Sequence, residues 1–340
     1  MIRSRIFQLV SMAAALLKKP ILILDGGLGT TLEDEHGVQY SSATPLWSSH
    51  VLVESPSTLL KVQEAFAQAG ADVILTATYQ TSLEGFLKTR INGSPIRRAD
   101  AESYMRSAVI IARSAFHDRP GLVALSLGAY GATMIPSAEY SGEYGSMSED
   151  DLRKFHLERL STFTSPGIWA EIDLVAFETL PRLEEVRAIR ELMRHVPEKP
   201  YWISCVFPTD DHLPDGSSIE EVVQAMLWGG QPPFAIGLNC TKVNKVDELV
   251  RKFENAAAQL QLQLPHLVMY PDGTAGKVYD TTLQQWKGED QVAVPWHEQV
   301  YQIVENVQAR HQWQGILVGG CCKTTPQYIA QLKNKLDQAG

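Results

Sequence analysis

The chain has little cysteine, four residues in 340, far too few for a secreted disulfide scaffold. Three of the four stand at the ends of apolar runs rather than at stapling intervals in loops. A reducing compartment, the cytoplasm, is therefore expected. Long apolar runs are also missing: none approaches the roughly 18 residues of a membrane helix. Positive charge is in deficit, with 30 Lys and Arg against 39 Asp and Glu and a formal net charge of -9. That balance argues against nucleic acid or an anionic membrane as partner and favours a small molecule. No low-complexity tract, linker or repeat beyond a strand-helix alternation appears. No His-Glu-x-x-His, P-loop or Gly-x-Ser-x-Gly elbow occurs. Gly27-Leu28-Gly29 follows a strand, but Leu32 occupies the third glycine position of a dinucleotide fingerprint.

What is present is apolar material, 44% of residues against 20% charged, enough for a large core. Short, continuously apolar runs suit strands buried on both faces. They are predicted at Ile21–Asp25, Asp72–Tyr79, Leu122–Leu127, Asp173–Glu178, Tyr201–Phe207, Phe234–Asn239, Leu267–Tyr270 and Ile316–Val318. Helical patterns alternate with them: Ser57–Ala69, Asp100–Phe116, Ser148–Thr162, Pro181–His195, Ser218–Trp228, Lys245–Gln259, Trp296–Arg310 and Thr325–Leu336. Ser148 with Asp151 and Ser218 with Glu221 read as capping boxes, and Pro181 as a first-turn proline. Eight such pairs, given the right-handed crossover rule, predict a single (β/α)8 TIM-type barrel, with a doubly wound open sheet as the other arrangement. The barrel domain would span residues 20–340 behind an N-terminal extension, 1–19. The extension carries Arg3, Arg5, no acid and an apolar middle, which fits either a helix closing the barrel or an organelle-targeting peptide.

In such barrels the active site lies at the C-terminal ends of the strands. The polar residues there are Asp25 with Gly26 and Gly27, Thr78 and Tyr79, Glu178 and Thr179, Asn239 and Cys240, and Cys321 with Cys322. Strands six and eight are separated by one neighbour, close enough for three thiols to converge. Three thiolates with a fourth place left open describe a catalytic zinc site rather than a structural one, and a sulfur-rich shell suits a soft ligand. The same cysteines equally fit three small buried residues. The long stretch from Gly128 to Met147, rich in Gly, Tyr and Ser, is expected to be a functional lid. His117, His195 and His311 fall at helix C-terminal ends, where partial positive charge is favourable without any catalytic role.

A set of motifs in order, Asp25-Gly26-Gly27-Leu28-Gly29-Thr30, Thr76-Ala77-Thr78-Tyr79-Gln80, Tyr130-Gly131-Ala132 with Glu139-Tyr140-Ser141-Gly142-Glu143-Tyr144, Phe177-Glu178-Thr179, Gly237-Leu238-Asn239-Cys240, Tyr270-Pro271 and Gly319-Gly320-Cys321-Cys322, resembles the homocysteine S-methyltransferase family. The likeness runs from about Leu24 to Tyr328, and the Tyr130–Tyr144 segment resembles the branch using S-methylmethionine or S-adenosylmethionine. The sequence departs from the usual pattern at Ala129, where Pro is common, and at Ile135-Pro136, where the loop is normally more polar.

The resemblance implies Zn2+ held by Cys240, Cys321 and Cys322, with Cys205 a core residue. It also implies that Asp25 and Glu178 hold the amino group of L-homocysteine, that backbone N–H groups of Gly26 and Gly27 face its carboxylate, and that Thr30 and Asn239 support the site. A homocysteine thiolate would attack the methyl of a sulfonium in line, the donor leaving as a neutral thioether, so that no general acid and no central histidine are needed. Trp47, Tyr79 and Tyr140 are candidates to steady the donor's cation, each equally readable as packing. A betaine-dependent methyltransferase and a non-catalytic zinc- or thiol-binding barrel are the alternatives. Oligomeric state is left open.

Overall fold

A computed structural model describes residues 15–41, 44–91, 93–196, 199–209, 211–280, 285–288 and 294–339. Eight strands form one parallel sheet: β1 Ile21–Ile23, β2 Val73–Leu75, β3 Leu122–Gly128, β4 Leu174–Leu180, β5 Tyr201–Cys205, β6 Ala235–Lys242, β7 His266–Asp272 and β8 Ile316–Val318. Each pairs with its neighbour in chain order, β8 returns to pair with β1, and a single parallel bridge between Leu24 and Val73 completes the ring. A doubly wound sheet would reverse its strand order at a switch point; this order is sequential and closes. The protein is a (β/α)8 TIM barrel.

The helices packed outside include α1 Pro56–Gln68, α2 Arg98–Ser114, α3 Glu149–Ser161, α4 Leu183–Met193, α5 Ile219–Leu227, α6 Val246–Gln259, α7 Trp296–Arg310 and α8 Pro326–Ala339. Both capping boxes form, at Ser148 with Asp151 and at Ser218 with Glu221. Two short ribbons, Arg90–Ile91 with Ser94–Pro95 and Val278–Asp280 with Gln285–Lys287, project from the wall.

Strand side chains alternate faces with a period of two, and the core divides accordingly. Leu22, Leu24, Leu122, Ala124, Leu174, Ala176, Trp202, Val268 and Leu317 fill the interior. Ile23, Val123, Leu125, Val175, Phe177, Ile203 and Leu267 face the helices. The same parity places Ser126, Glu178, Ser204 and Tyr270 in the next inward layer, at the mouth of the barrel.

Several predicted boundaries shift, each for a local reason. β2 stops at Leu75 rather than Tyr79, because Thr76 Oγ1 accepts the Ser126 N–H (3.0 Å) in place of a ladder carbonyl. α4 starts at Leu183, not Pro181: Asp215, from the loop after β5, accepts the Leu183 N–H at 2.7 Å and caps the helix from a distance. β4 and β6 extend beyond the predicted ends through register shifts between Phe177 and Leu180 and between Asn239 and Lys242. Such bulges re-aim side chains at a barrel rim.

The division expected between residues 1–19 and 20–340 falls mostly on residues outside those described. Leu16 and Leu17 are described and pack against the barrel interior. Part of the loop after β7 also lies outside. Among the described residues, no helix is long and apolar enough to cross a membrane.

Candidate active site

A cavity of about 180 Å³ opens at the C-terminal end of the barrel. All twelve residues singled out in the sequence line it: Asp25, Gly26, Gly27, Thr30, Trp47, Tyr79, Tyr140, Glu178, Asn239, Cys240, Cys321 and Cys322.

Two carboxylates lie on its floor. Glu178, 5% exposed, accepts Tyr270 Oη–H at 2.8 Å and the Ser126 hydroxyl. Burial pushes its carboxyl up to about 7, although those two donors and the charge of Arg159 pull the other way. Asp25 accepts the Leu75 N–H at 2.9 Å. Burial raises its carboxyl well above the ordinary range, the Leu75 bond opposes this and the neighbouring Glu178 adds to it. A cation between these groups would relieve both desolvation and repulsion.

The sulfurs gather near the C-terminal ends of β6 and β8. The Sγ atoms of Cys240, Cys321 and Cys322 lie within 4.8 Å of one another, against about 3.8 Å between sulfurs of a tetrahedral zinc site with 2.3 Å bonds. Cys240 and Cys321 are joined as a disulfide, their Cα atoms 5.5 Å apart. Burial pushes the Cys322 thiol up to about 12, with the charges of Asp272 and Glu139 adding to the effect against a hydrogen bond from Tyr140. A sulfur held so far toward its protonated form needs a nearby cation to become a thiolate at neutral pH. Once reduced, the donor set fits a thiophilic divalent metal.

Both bulges place non-glycine residues in the left-handed region, Thr179 at φ 61° and Cys240 at φ 48°. Each costs roughly 1–2 kcal/mol, more for a β-branched side chain. Asn239 holds them there. Its Oδ1 accepts the Thr179 N–H (2.8 Å), and its Nδ2 donates to Thr179 Oγ1 (2.7 Å) and to Cys240 Sγ (3.2 Å). Ser204 Oγ in turn donates to Asn239 Oδ1 at 2.8 Å and meets Tyr270 Oη at 2.7 Å. One buried network therefore joins Glu178 to Cys240.

Residues 22–336 match the family described as homocysteine S-methyltransferase. The chain is 32% identical over 332 residues to homocysteine S-methyltransferase 1 of Arabidopsis thaliana, covering 92% of this chain and 93% of the relative. The solved structure of the homocysteine methyltransferase MmuM from Escherichia coli is similar in its metallated form, with a TM-score of 0.72, 30% identity and coverage of 95% and 98% of the two chains. Its oxidized form gives a TM-score of 0.74 at the same identity, covering 95% and 99%. The chain belongs to the homocysteine S-methyltransferase family.

For a member of this methyltransferase family, the Gly27 N–H serves a different purpose from the one expected. The Gly27 N–H does not await a carboxylate; it donates to the Thr324 carbonyl at 2.9 Å and to Thr324 Oγ1 at 3.1 Å. A Cβ on Gly26 would come within 2.5 Å of the Thr324 carbonyl, and one on Gly27 would overlap the Cys321 carbonyl. Both glycines let the β1 loop close onto the cysteine loop. Thr30 supports the same junction, its Oγ1 accepting the Lys323 N–H at 2.8 Å.

Trp47 stacks on Tyr40, ring centroids 4.4 Å apart, and Tyr79 packs over Gly128, where a Cβ would approach Cε2 to 2.6 Å. The stretch from Tyr130 to Tyr144, which carries Tyr140 into the cavity, is tied down by Glu185 of α4. That wholly buried carboxylate accepts the Tyr130 N–H (2.7 Å) and Tyr144 Oη–H (2.9 Å) and meets His156 Nε2 at 2.8 Å. Burial lowers the His156 pKa. Arg159 of α3, also buried, donates to the carbonyls of Gly128 (2.6 Å), Thr78 (3.1 Å) and Tyr79 (2.8 Å), joining the ends of β2 and β3.

Cys205 is fully buried in the wall, away from the cavity lining. The sequence reading assigned no site role to Ser126, Arg159, Glu185 or Ser204, nor to Glu139 and Tyr270, which it offered only as parts of family motifs. Strand parity would have found Ser126, Ser204 and Tyr270, each two residues beyond an inward apolar side chain. Arg159 and Glu185 sit on helices and act across the fold, with no local signal.

Proposed function

We propose that this cavity transfers a methyl group from a sulfonium donor, S-methylmethionine or S-adenosylmethionine, to the sulfur of L-homocysteine, with Zn2+ as cofactor on Cys240, Cys321 and Cys322, yielding methionine. The observation that carries the reading is the placement, in one small cavity, of two buried carboxylates facing three clustered sulfurs. A thiol-bearing amino acid has the matching charges. Asp25 and Glu178 would take its ammonium, leaving its sulfur toward the cysteines. Zinc bound there would favour the thiolate form of a substrate thiol at neutral pH, and its binding requires Cys240 and Cys321 in their reduced state.

The chain's own residues supply position. Asn239 and Thr179 fix Cys240 in its bulge, and Tyr270 and Ser126 orient Glu178. The thiolate's electron pair forms the new S–C bond as the C–S bond of the sulfonium breaks, and the donor leaves as a neutral thioether. No proton has to be delivered to the leaving group.

Two measurements test the proposal. With homocysteine, the reduced protein should turn over S-methylmethionine or S-adenosylmethionine and not betaine; turnover with betaine alone would replace the donor assignment. Cys321→Ala should lose zinc and activity together, and stoichiometric zinc retained in that variant would refute the ligand set.

A further inference from the structure

Glu139 is 7% exposed, and its Oε2 atom is buried without a hydrogen-bond partner in the protein. It lines the same cavity as the cysteines, close enough to Tyr79, Tyr140 and Cys322 for its charge to act on all three. The backbone that carries it is fixed: the Ala138 N–H donates to the Gly131 carbonyl at 2.9 Å, and a Cβ on Gly131 would come within 2.7 Å of the Glu139 nitrogen. Folding therefore buries a carboxylate oxygen and leaves it aimed into the site with nothing to accept from. Buried polar atoms left this way call for an explanation.

The other two carboxylates of the cavity have structural partners, Asp25 in the Leu75 N–H and Glu178 in two hydroxyl groups. Among the described residues Glu139, on the loop after β3, has hydrogen bonds only from Ser137 and its own backbone, and its Oε2 has none. An ammonium group would seek several acceptors, whereas a sulfonium has no N–H to satisfy and is held by charge and by aromatic surface. One unpartnered carboxylate oxygen, in a cavity also lined by Tyr79 and Tyr140 and within electrostatic reach of both, suits the second kind of cation. We propose that Glu139 is the counter-ion of the positively charged donor sulfur and the residue that makes the cavity prefer a cationic donor to a neutral molecule of the same shape. This rests on the sulfonium reading above. Burial pushes the Glu139 carboxyl up to about 7 against hydrogen bonds from its own backbone and Ser137, which compensate its charge only in part.

The donor loses its positive charge as the methyl leaves, so attraction to Glu139 is greatest in the bound donor and fades toward the transition state. Removing the Glu139 charge therefore raises donor KM and does not lower kcat, which rises if the attraction is lost before the transition state.

The test compares the zinc-loaded wild type with Glu139→Gln, using S-methylmethionine and its neutral carbon isostere, 2-amino-5-methylhexanoate, as an inhibitor competitive with the donor. Donor KM should rise about 10- to 100-fold, the loss expected for one charge-assisted contact, with kcat not lowered, zinc content and homocysteine KM held and the isostere's inhibition constant unchanged. Glu139→Asp, which keeps the charge, should retain most of the preference. Equal weakening of donor and isostere, or no change in either, would overturn the proposal. Should the wild type turn over no sulfonium donor, the proposed function fails, and direct titration of the two ligands onto both proteins still decides whether Glu139 discriminates charge.

Discussion

Glu178 sits between Ser126 and Tyr270, and its proton equilibrium ties binding to stability. Burial raises its carboxyl from 4.5 to about 7, so the folded protein holds the proton more tightly than the unfolded chain. A raised pKa contributes stability that is fully present below the unfolded value and is lost as pH rises through the folded one. The ligand-free protein should therefore weaken between about pH 4.5 and 7, by at most about 3 kcal/mol from this group. Ionised Glu178 is what an ammonium requires, so homocysteine KM should fall over the same rise in pH. Glu178→Gln separates the two effects. It should raise the melting temperature at pH 8, leave it unchanged at pH 5, and weaken homocysteine binding at least about 10-fold. A lower melting temperature at pH 8 would show that the ionised carboxylate is compensated before substrate arrives.

The loop from Tyr130 to Tyr144 illustrates how an element is fixed by residues far from it in sequence. Its two end tyrosines and His156 all converge on Glu185, so removing that carboxylate leaves three groups unmatched, two on the loop and one on α3. Glu185→Ala should cost about 2–4 kcal/mol. It should also speed amide exchange across 130–144 and raise donor KM, with zinc content unaltered. Exchange as slow as in the wild type would mean that local bonds such as Ala138 to Gly131 suffice. The sequence showed this loop's length and composition but not its anchor, because Glu185 occupies an ordinary place in an amphipathic helix.

Elsewhere legibility follows the same division. Apolar runs, capping boxes and the eightfold alternation are local patterns, and they revealed the barrel and the strand-end residues of the cavity. The bulges at Thr179 and Cys240 were not legible, since their geometry is held by Asn239 of β6 reaching past β5 to Thr179 of β4. Nor was the role of Gly27, whose need for close approach is created by Thr324 and Cys321 nearly 300 residues away.

At the scale of the whole molecule, the barrel has one thin seam, between β1 and β2, where backbone pairing is reduced to the Leu24–Val73 bridge. Two aspartates reinforce it. Asp25 accepts the Leu75 N–H at the mouth, so a carboxylate lining the cavity also closes the ring. At the opposite end the Asp72 backbone N–H donates to the Ile23 carbonyl (2.7 Å), while Asp72 Oδ2 accepts the Ile23 N–H (3.0 Å) and Oδ1 pairs with Lys19 (2.7 Å). Asp173 repeats the device two strands on, between β3 and β4, accepting the Val123 N–H at 2.8 Å beside Arg113. Because Asp72 lies at the end of the barrel away from the cavity, it separates closure from chemistry. Asp72→Ala strips the acceptor from a half-buried amide and should lower unfolding stability by about 1–3 kcal/mol in urea, with kcat, both KM values and zinc content unchanged. The exposed pairing with Lys19 contributes little of this, so Lys19→Ala alone should cost under about 1 kcal/mol. If Asp72→Ala unfolds like the wild type, the backbone bridge and the interior packing of Leu22, Leu24 and Val73 hold the seam without it.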